Sequence, residues 1–203
     1  MAGRVEGMIA DAMRALEERD PELAARTIAI DRKVNRAELD IDERAMLILV
    51  KRNPMARDLR FVAVTFKMNT DLERIGDLAV NICERAADLA ALPVLEPTID
   101  LTPMANTVQK MVRTAMDAFV NWDSDRAESV LMDDDEVDEA YHQAMHALVA
   151  TMIKSPATIP RCAYLQSVAK YLERIGDHAT NLAEHVIFMV RAKDVRHHGK
   201  LGP

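Results

Sequence analysis

The sequence predicts an all-α protein, folded as two tandem antiparallel three-helix bundles, and three observations carry that prediction. Composition is the first: of 203 residues 49% are hydrophobic but only 4% aromatic, with 13 Met and 6 Gly. That profile suits helices, whereas a β-sandwich or barrel needs more β-branched, aromatic and turn residues. The second is spacing, since apolar residues recur at helical intervals between few, sharp breaks. The third is an internal repeat. Leu72-Glu73-Arg74-Ile75-Gly76-Asp77-Leu78-Ala79-Val80-Asn81 returns as Leu172-Glu173-Arg174-Ile175-Gly176-Asp177-His178-Ala179-Thr180-Asn181, an offset of 173 − 73 = 100. The shared part is mostly polar, and a repeated polar register points to a repeated site rather than a reused core.

The elements follow in order. A short first helix ends before Asp20-Pro21, where Asp caps the next helix and Pro takes its first position. From Pro21 no breaker intervenes until Asn53-Pro54, so one long helix is expected there, followed by another from Ala56 to about Ala90. Pro93, Pro97 and Pro103 then punctuate LPVLEPTIDLTP, the linker candidate. Beyond it, Pro103 to Asn121 reads as a helix, and Asp123-Ser124 caps another that reaches about Lys154. Ser155-Pro156 with Pro160 reads as a break, and the last helix is expected from Arg161 to about Asp194. The caps Asp20 and Asp123 lie 103 apart and the breakers Pro54 and Pro156 lie 102 apart, so the punctuation repeats with the motif. The expected organisation is a first three-helix repeat over 1–92, a linker over 93–103 and a second repeat over 104–203.

Charge and composition narrow the function. With 26 basic and 33 acidic residues the net charge is −7, and no basic stripe with interleaved aromatics occurs, so nucleic-acid binding is not expected. Cys83 and Cys162 lack CxxC spacing and read as buried thiols of a reducing compartment. The N-terminal stretch is charged throughout with no signal-peptide core. The longest apolar runs, Ala45 to Val50 and Val186 to Val190, are too short to span a bilayer. A soluble, cytoplasmic protein without membrane insertion is expected.

Residues four apart share a helix face about 6 Å apart along the axis. Glu73, Asp77 and Asn81 therefore form one oxygen-bearing stripe beside the apolar stripe of Leu72, Ile75, Ala79 and Ile82, and Glu173, Asp177 and Asn181 form its copy. Like charges at this spacing destabilise a helix by a few tenths of a kcal/mol, and mid-helix Gly76 and Gly176 cost roughly 1 kcal/mol each. A cation against the face, or a close neighbouring backbone, would offset those costs. The preceding helix supplies matching oxygens from Asp31, Asn35 and Glu38. In the second half Asp133, Asp134, Asp135 and Asp138 crowd the corresponding stretch, with Asp31 mapping to Asp134 and Asn35 to Asp138. Facing carboxylates suit Mg²⁺, Mn²⁺ or Ca²⁺, and carboxylate-rich clusters also hold iron. The competing reading is an ordinary charged face neutralised by Arg74, Arg174 and other basic residues.

Other constellations are weaker. Glu139 and His142 form a single ExxH, where ferritin-like di-iron sites need two. His142 and His146 read as a surface pair. His178 and His185 lie near Asp177, where a nitrogen ligand is conceivable but a satisfied histidine is the better reading. His197 and His198 belong to a polar tail, Trp122 reads as a plug at a bundle end, and the methionines read as core filler. No phosphate-cradling glycine loop and no nucleophile with its base is present, so no catalytic site is expected.

RDLRFVAVTFKMNTDLERIGDLAVNICERA (Arg57 to Ala86) and AKYLERIGDHATNLAEHVIFMV (Ala169 to Val190) closely resemble the PhoU family of phosphate-specific transport system accessory proteins, as do LAARTIAIDRKVN and the break at Asn53-Pro54. The resemblance implies two three-helix bundles with pseudo-twofold symmetry, frequently homodimeric. It implies divalent or trivalent metal ions (Fe, Zn, Mn or Mg) on Glu73 and Asp77 and on Glu173 and Asp177, with Asn81 and Asn181 continuing the face. Asp31, Asp134 and Asp138 carry over through a looser motif. It also implies a negative regulator that couples the phosphate ABC transporter, through its ATPase subunit, to a sensor histidine kinase. Family members usually carry further helix ahead of the segment matching Val5, so the first helix is expected to be short or trimmed here. A carboxylate-bridged, ferritin-like metalloprotein and a purely structural helical scaffold are the alternatives.

Overall fold

The computed structural model describes residues 1–96, 98–193 and 195. Among them the chain forms seven α-helices: α1 (Ala2–Glu18), α2 (Pro21–Ile28), α3 (Asp31–Arg52), α4 (Ala56–Ala90), α5 (Thr102–Asn121), α6 (Ser124–Lys154) and α7 (Ile159–Arg191). The two aspartate caps form as read. Asp20 accepts from the backbone N–H groups of Glu22 and Leu23, both at 2.9 Å, with Pro21 opening α2. Asp123 accepts from Asp125 and Arg126 at 3.1 and 2.9 Å. Asn53 closes α3 in the left-handed conformation, with φ 45°, which lets the chain leave the helix before Pro54.

Two boundaries differ from the sequence reading. The helix expected to run unbroken from Pro21 is interrupted at Ala29–Ile30, where the Ile30 and Lys33 amides bond to Thr27 and Ile30, three residues back instead of four. Both residues keep right-handed helical angles, so the turn tightens without reversing, a change no proline or glycine announces. The equivalent stretch of α6 is continuous. Pro160, read as a breaker, instead lies in the first turn of α7 after a 3₁₀ turn at Pro156–Thr158, where its missing N–H costs nothing. The expected end of that helix at Asp194 and the tail histidines His197 and His198 lie outside the described residues.

Helices α1, α2–α3 and α4 make one bundle, and α5, α6 and α7 the other. They share one apolar core, to which Met8, Ile9, Ile75 and Ile82 contribute from the first and Met111, Leu172, Leu182 and Ile187 from the second. The long helices α4 and α7 run antiparallel through the centre: Arg60 Nε reaches the Met189 carbonyl at 3.4 Å near one end, and Arg161 Nη1 reaches the Val94 carbonyl at 3.0 Å beyond the other. α1 and α5 also run antiparallel, joined by Arg113–Glu6 at 3.0 Å and Thr102–Glu17 at 2.8 Å. α3 packs on α4 and α6 on α7, leaving α3 and α6 as the outer helices. The connection after α4 is strapped down. Arg19 donates to the carbonyls of Leu89, Ala90 and Leu92, and Leu95 and Leu101 are buried.

Candidate metal centre

The oxygen-bearing stripe of α4 faces α3, and that of α7 faces α6. Gly76 is buried, and a Cβ there would sit 3.5 Å from Val34 Cγ1 and 3.9 Å from Asp31 Oδ1. At Gly176 the same distances are 3.3 Å to Val137 Cγ1 and 3.7 Å to Asp134 Oδ1. The glycines therefore admit the neighbouring helix, valine and aspartate together, and set Asp31 and Asp134 over equivalent points.

In the first half Asn35 Nδ2 donates to Asp31 Oδ2 at 2.8 Å, while Asp31 Oδ1 and Asn35 Oδ1 are buried with no hydrogen-bond partner. Burial raises the Asp31 pKa, and Asp77 raises it further. Burial raises Glu73 as well, followed by Asp77, with Glu38 and Asp31 adding to the rise. Glu38 rises through burial and through Asp42, with a smaller push from Asp77. Arg74 opposes this charge at longer range, 3.3 Å from Asp77 and 3.5 Å from Glu73. Each group destabilises its neighbours' ionised forms, the electrostatic condition under which a cation binds.

The second half repeats the pattern. Burial raises Asp134, and Asp138, Asp177 and Asp135 add to it, while the nearby Thr180 hydroxyl partly opposes without closing a hydrogen bond of normal geometry. Burial and then Glu173 raise Asp177, with Asp138 adding and Lys170 opposing. Asp133 departs from the cluster to pair with Lys110 at 2.9 Å. Asn81 is half-buried one turn beyond Asp77, whereas Asn181 turns its amide to Asp71 of α4 at 3.4 Å.

Among the described residues, no three His, Cys, Asp or Glu side chains are grouped so that they could hold a metal ion as they stand. The donor set is nonetheless hard oxygen throughout, and the two buried unpartnered oxygens of Asp31 and Asn35 are acceptors that a cation would satisfy. In chemistry, though not in preformed geometry, this donor set suits a hard cation.

Asp71 and Asn69 were not legible as site residues. Asp71 lies between the bundles, with His178 Nδ1 at 2.8 Å from one oxygen and His185 Nε2 at 3.3 Å from the other. Both histidines are thus satisfied across the interface. Asn69 is buried and donates to the Glu38 carbonyl and to Asp42 at 2.9 and 2.8 Å. Tyr171 and Ala169 stand at the repeat-equivalent positions, so the repeat gave no signal for either residue.

A family model described as "PhoU domain" matches residues 1–86 and again 101–186. The chain belongs to the PhoU family. The phosphate-specific transport system accessory protein PhoU homolog of Pseudomonas aeruginosa is 42% identical over 200 residues, covering 98% of this chain and 83% of that one. The PhoU of Escherichia coli is 35% identical over 199 residues, covering 98% and 83%. The crystal structure of PhoU from Pseudomonas aeruginosa superposes with a TM-score of 0.91 at 40% identity, covering 95% of this chain and 93% of that one. That of the phosphate transport system regulatory protein PhoU from Streptococcus pneumoniae, at 23% identity, gives 0.86 over 96% and 91% and shows the shared fold. The all-α PhoU architecture of two three-helix repeats is thereby established for this chain, and no helix among the described residues is long and apolar enough to cross a membrane.

Proposed function

We propose that this PhoU-family chain is a negative regulator of the phosphate-starvation response, a metal-binding adaptor and not an enzyme. In this reading it acts in the cytoplasm as a homodimer, couples the ATPase subunit of a phosphate ABC transporter to a sensor histidine kinase, and modulates phosphate uptake. The observation that carries the reading is likeness over 98% of the chain to proteins named phosphate-specific transport system accessory proteins.

The metal part rests on the two oxygen-lined faces. A bound Fe, Zn, Mn or Mg ion would supply positive charge to carboxylates that now raise one another's pKa. Glu73, Asp77, Asp31 and Asn35 would hold it in the first half, and Glu173, Asp177, Asp134 and Asp138 in the second, with Asn81 and Asn181 at the margins. Because each set spans two helices, these residues would tie outer helix α3 to α4 and outer helix α6 to α7. The outer helices also expose apolar side chains suited to protein partners: Leu39, Met46 and Val50 on α3, and Met132, Val149 and Ile153 on α6. Nothing favours the ferritin-like alternative, since Glu139 and His142 are exposed and Glu139 is bonded to Gln143.

Deleting the gene in its source organism tests the regulatory role. Constitutive phosphatase expression in high phosphate is expected, and normal repression would reject it. Elemental analysis after metal loading tests the ion. The wild-type protein is expected to retain metal, and the Glu73→Gln, Asp77→Asn, Glu173→Gln, Asp177→Asn variant is expected to lose it. A metal-free wild type would reject the metal-binding part of the reading.

A further inference from the structure

The two oxygen-lined faces are not equivalent, and the difference lies in a coupled pair of substitutions between the repeats. With the motif offset of 100, Thr70 corresponds to Lys170, and with the cap offset of 103, Glu38 corresponds to Tyr141. Where the first half sets a carboxylate beside Glu73, the second sets an aromatic ring and an ammonium. The Lys170 ammonium donates to both Glu173 oxygens at 2.7 Å and lies 5.4 Å from the centroid of the Tyr141 ring. The ring face attracts the cation and the carboxylate grips it. Glu73 is held more loosely, since its basic neighbour Arg74 stays 3.5 Å away and no aromatic ring among the described residues backs it.

We infer that Lys170, held between Glu173 and Tyr141, is a built-in competitor for the metal at the second site, so that the second site binds a cation less tightly than its carboxylates alone would. This rests on the metal reading above. A divalent cation entering the second site must take Glu173 from an ammonium that already satisfies both of its oxygens. At the first site Asp31 Oδ1 and Asn35 Oδ1 are unpartnered, and the basic group to be displaced, Arg74, holds Glu73 and Asp77 less closely, at 3.5 and 3.3 Å. The two halves of one chain are thereby set to fill in order, the first before the second.

Mn²⁺ binding by full-length protein, followed by calorimetry and by the electron paramagnetic resonance of free Mn²⁺, tests this. With the first site disabled by Glu73→Gln and Asp77→Asn, adding Lys170→Thr is expected to tighten Mn²⁺ at the second site by roughly 2- to 5-fold, the span of an exposed ion pair. Lys170→Arg, which keeps the charge, is expected to leave affinity within about 2-fold. With the second site disabled by Glu173→Gln and Asp177→Asn, Thr70→Lys is expected to weaken the first site. Unchanged or weaker binding on Lys170→Thr, with Mn²⁺ still bound, overturns the competitor role alone. No Mn²⁺ on any of the proteins, wild type included, overturns both it and the metal reading.

Discussion

A Cβ placed on Gly176 would stand 3.3 Å from Val137 Cγ1, whereas one on Gly76 would stand 3.5 Å from Val34 Cγ1. The two glycines carry the same motif but leave different room. Val137 and Val34 are both buried, and a β-branched side chain has little rotamer freedom with which to yield. Replacing a mid-helix glycine by alanine gains about 1 kcal/mol of helix propensity, while crowding a packed core costs about 1–3 kcal/mol. At Gly76 the contact is an ordinary one, so Gly76→Ala is expected to stabilise by about 0.5–1 kcal/mol. At Gly176 the crowding offsets the gain, and Gly176→Ala is expected to be neutral or destabilising. Urea midpoints compare the two, and an equal rise in both would show that close packing is not what the glycines serve.

Asp71 sets a second expectation. Burial pushes its pKa up, but the hydrogen bonds from His178 and His185, with their charge, outweigh burial and hold it below the ordinary value of 3.8. A carboxylate depressed in the folded state contributes stability that is present above its unfolded pKa and lost as pH falls through the folded one. Asp71→Ala also leaves the half-buried His178 and the buried His185 without their acceptor, at a cost of about 1–3 kcal/mol. Thermal unfolding should show that deficit fully at neutral pH, with the gap between variant and wild type closing below about pH 4. A gap that stays constant into the acid range would mean that packing alone accounts for it.

The oxygen-lined faces respond to pH with the opposite sign. Asp31, Glu73, Asp134 and Asp177 are all raised, each by burial first and then by neighbouring carboxylates. A raised carboxylate means that the folded chain binds more protons than the unfolded chain between the two pKa values. Stability then grows as pH falls through the folded values, and the gain is complete below the unfolded values near pH 4. Chelator-treated protein should therefore rise in Tm as pH falls from about 7 toward the unfolded values near about 4. Saturating Mn²⁺ should raise Tm at pH 7 and flatten that rise, because a bound cation keeps the same oxygens ionised. A chelated protein whose Tm is flat across this range, with no response to Mn²⁺, would count against both the crowding and the ion.

How much of this was legible follows from what repeats and what does not. Glu73, Asp77 and their copies could be read because a motif duplicated at an offset of 100 marks its own importance. The caps Asp20 and Asp123 could be read because their chemistry is local. Asp71 and Asn69 could not, because their partners lie on other helices and the second repeat carries Tyr171 and Ala169 instead. Local signals could not reveal the tightened turn at Ala29–Ile30 either, since every residue there remains helical in angle. The contact of Asn181 with Asp71 depends on the antiparallel fit of α4 against α7. Spacing along one helix contains no information about that fit.

Trp122 is placed where the two repeats meet, and its ring and its backbone make separable demands. The ring stacks on Phe61 of α4 at 5.6 Å between centroids, Phe61 stacks on Phe119 at 5.6 Å, and the Arg57 guanidinium lies 4.0 Å from the Trp122 ring centroid. The start of α4, from the first repeat, is thereby fastened to the α5–α6 corner of the second. The backbone at Trp122 ends α5 in the left-handed conformation, with φ 57°, which costs a residue other than glycine about 1–2 kcal/mol. Both Trp122→Ala and Trp122→Gly lose the stack, and the half-buried ring is worth about 2–3 kcal/mol, less than a fully buried one. Only the glycine variant recovers the backbone strain. The expected order of stability by urea unfolding, followed by circular dichroism, is wild type, then Trp122→Gly, then Trp122→Ala by about a further 1 kcal/mol. If alanine matched or exceeded glycine, the corner would not be strained, and the aromatic stack would have to be the whole reason for a tryptophan at this turn.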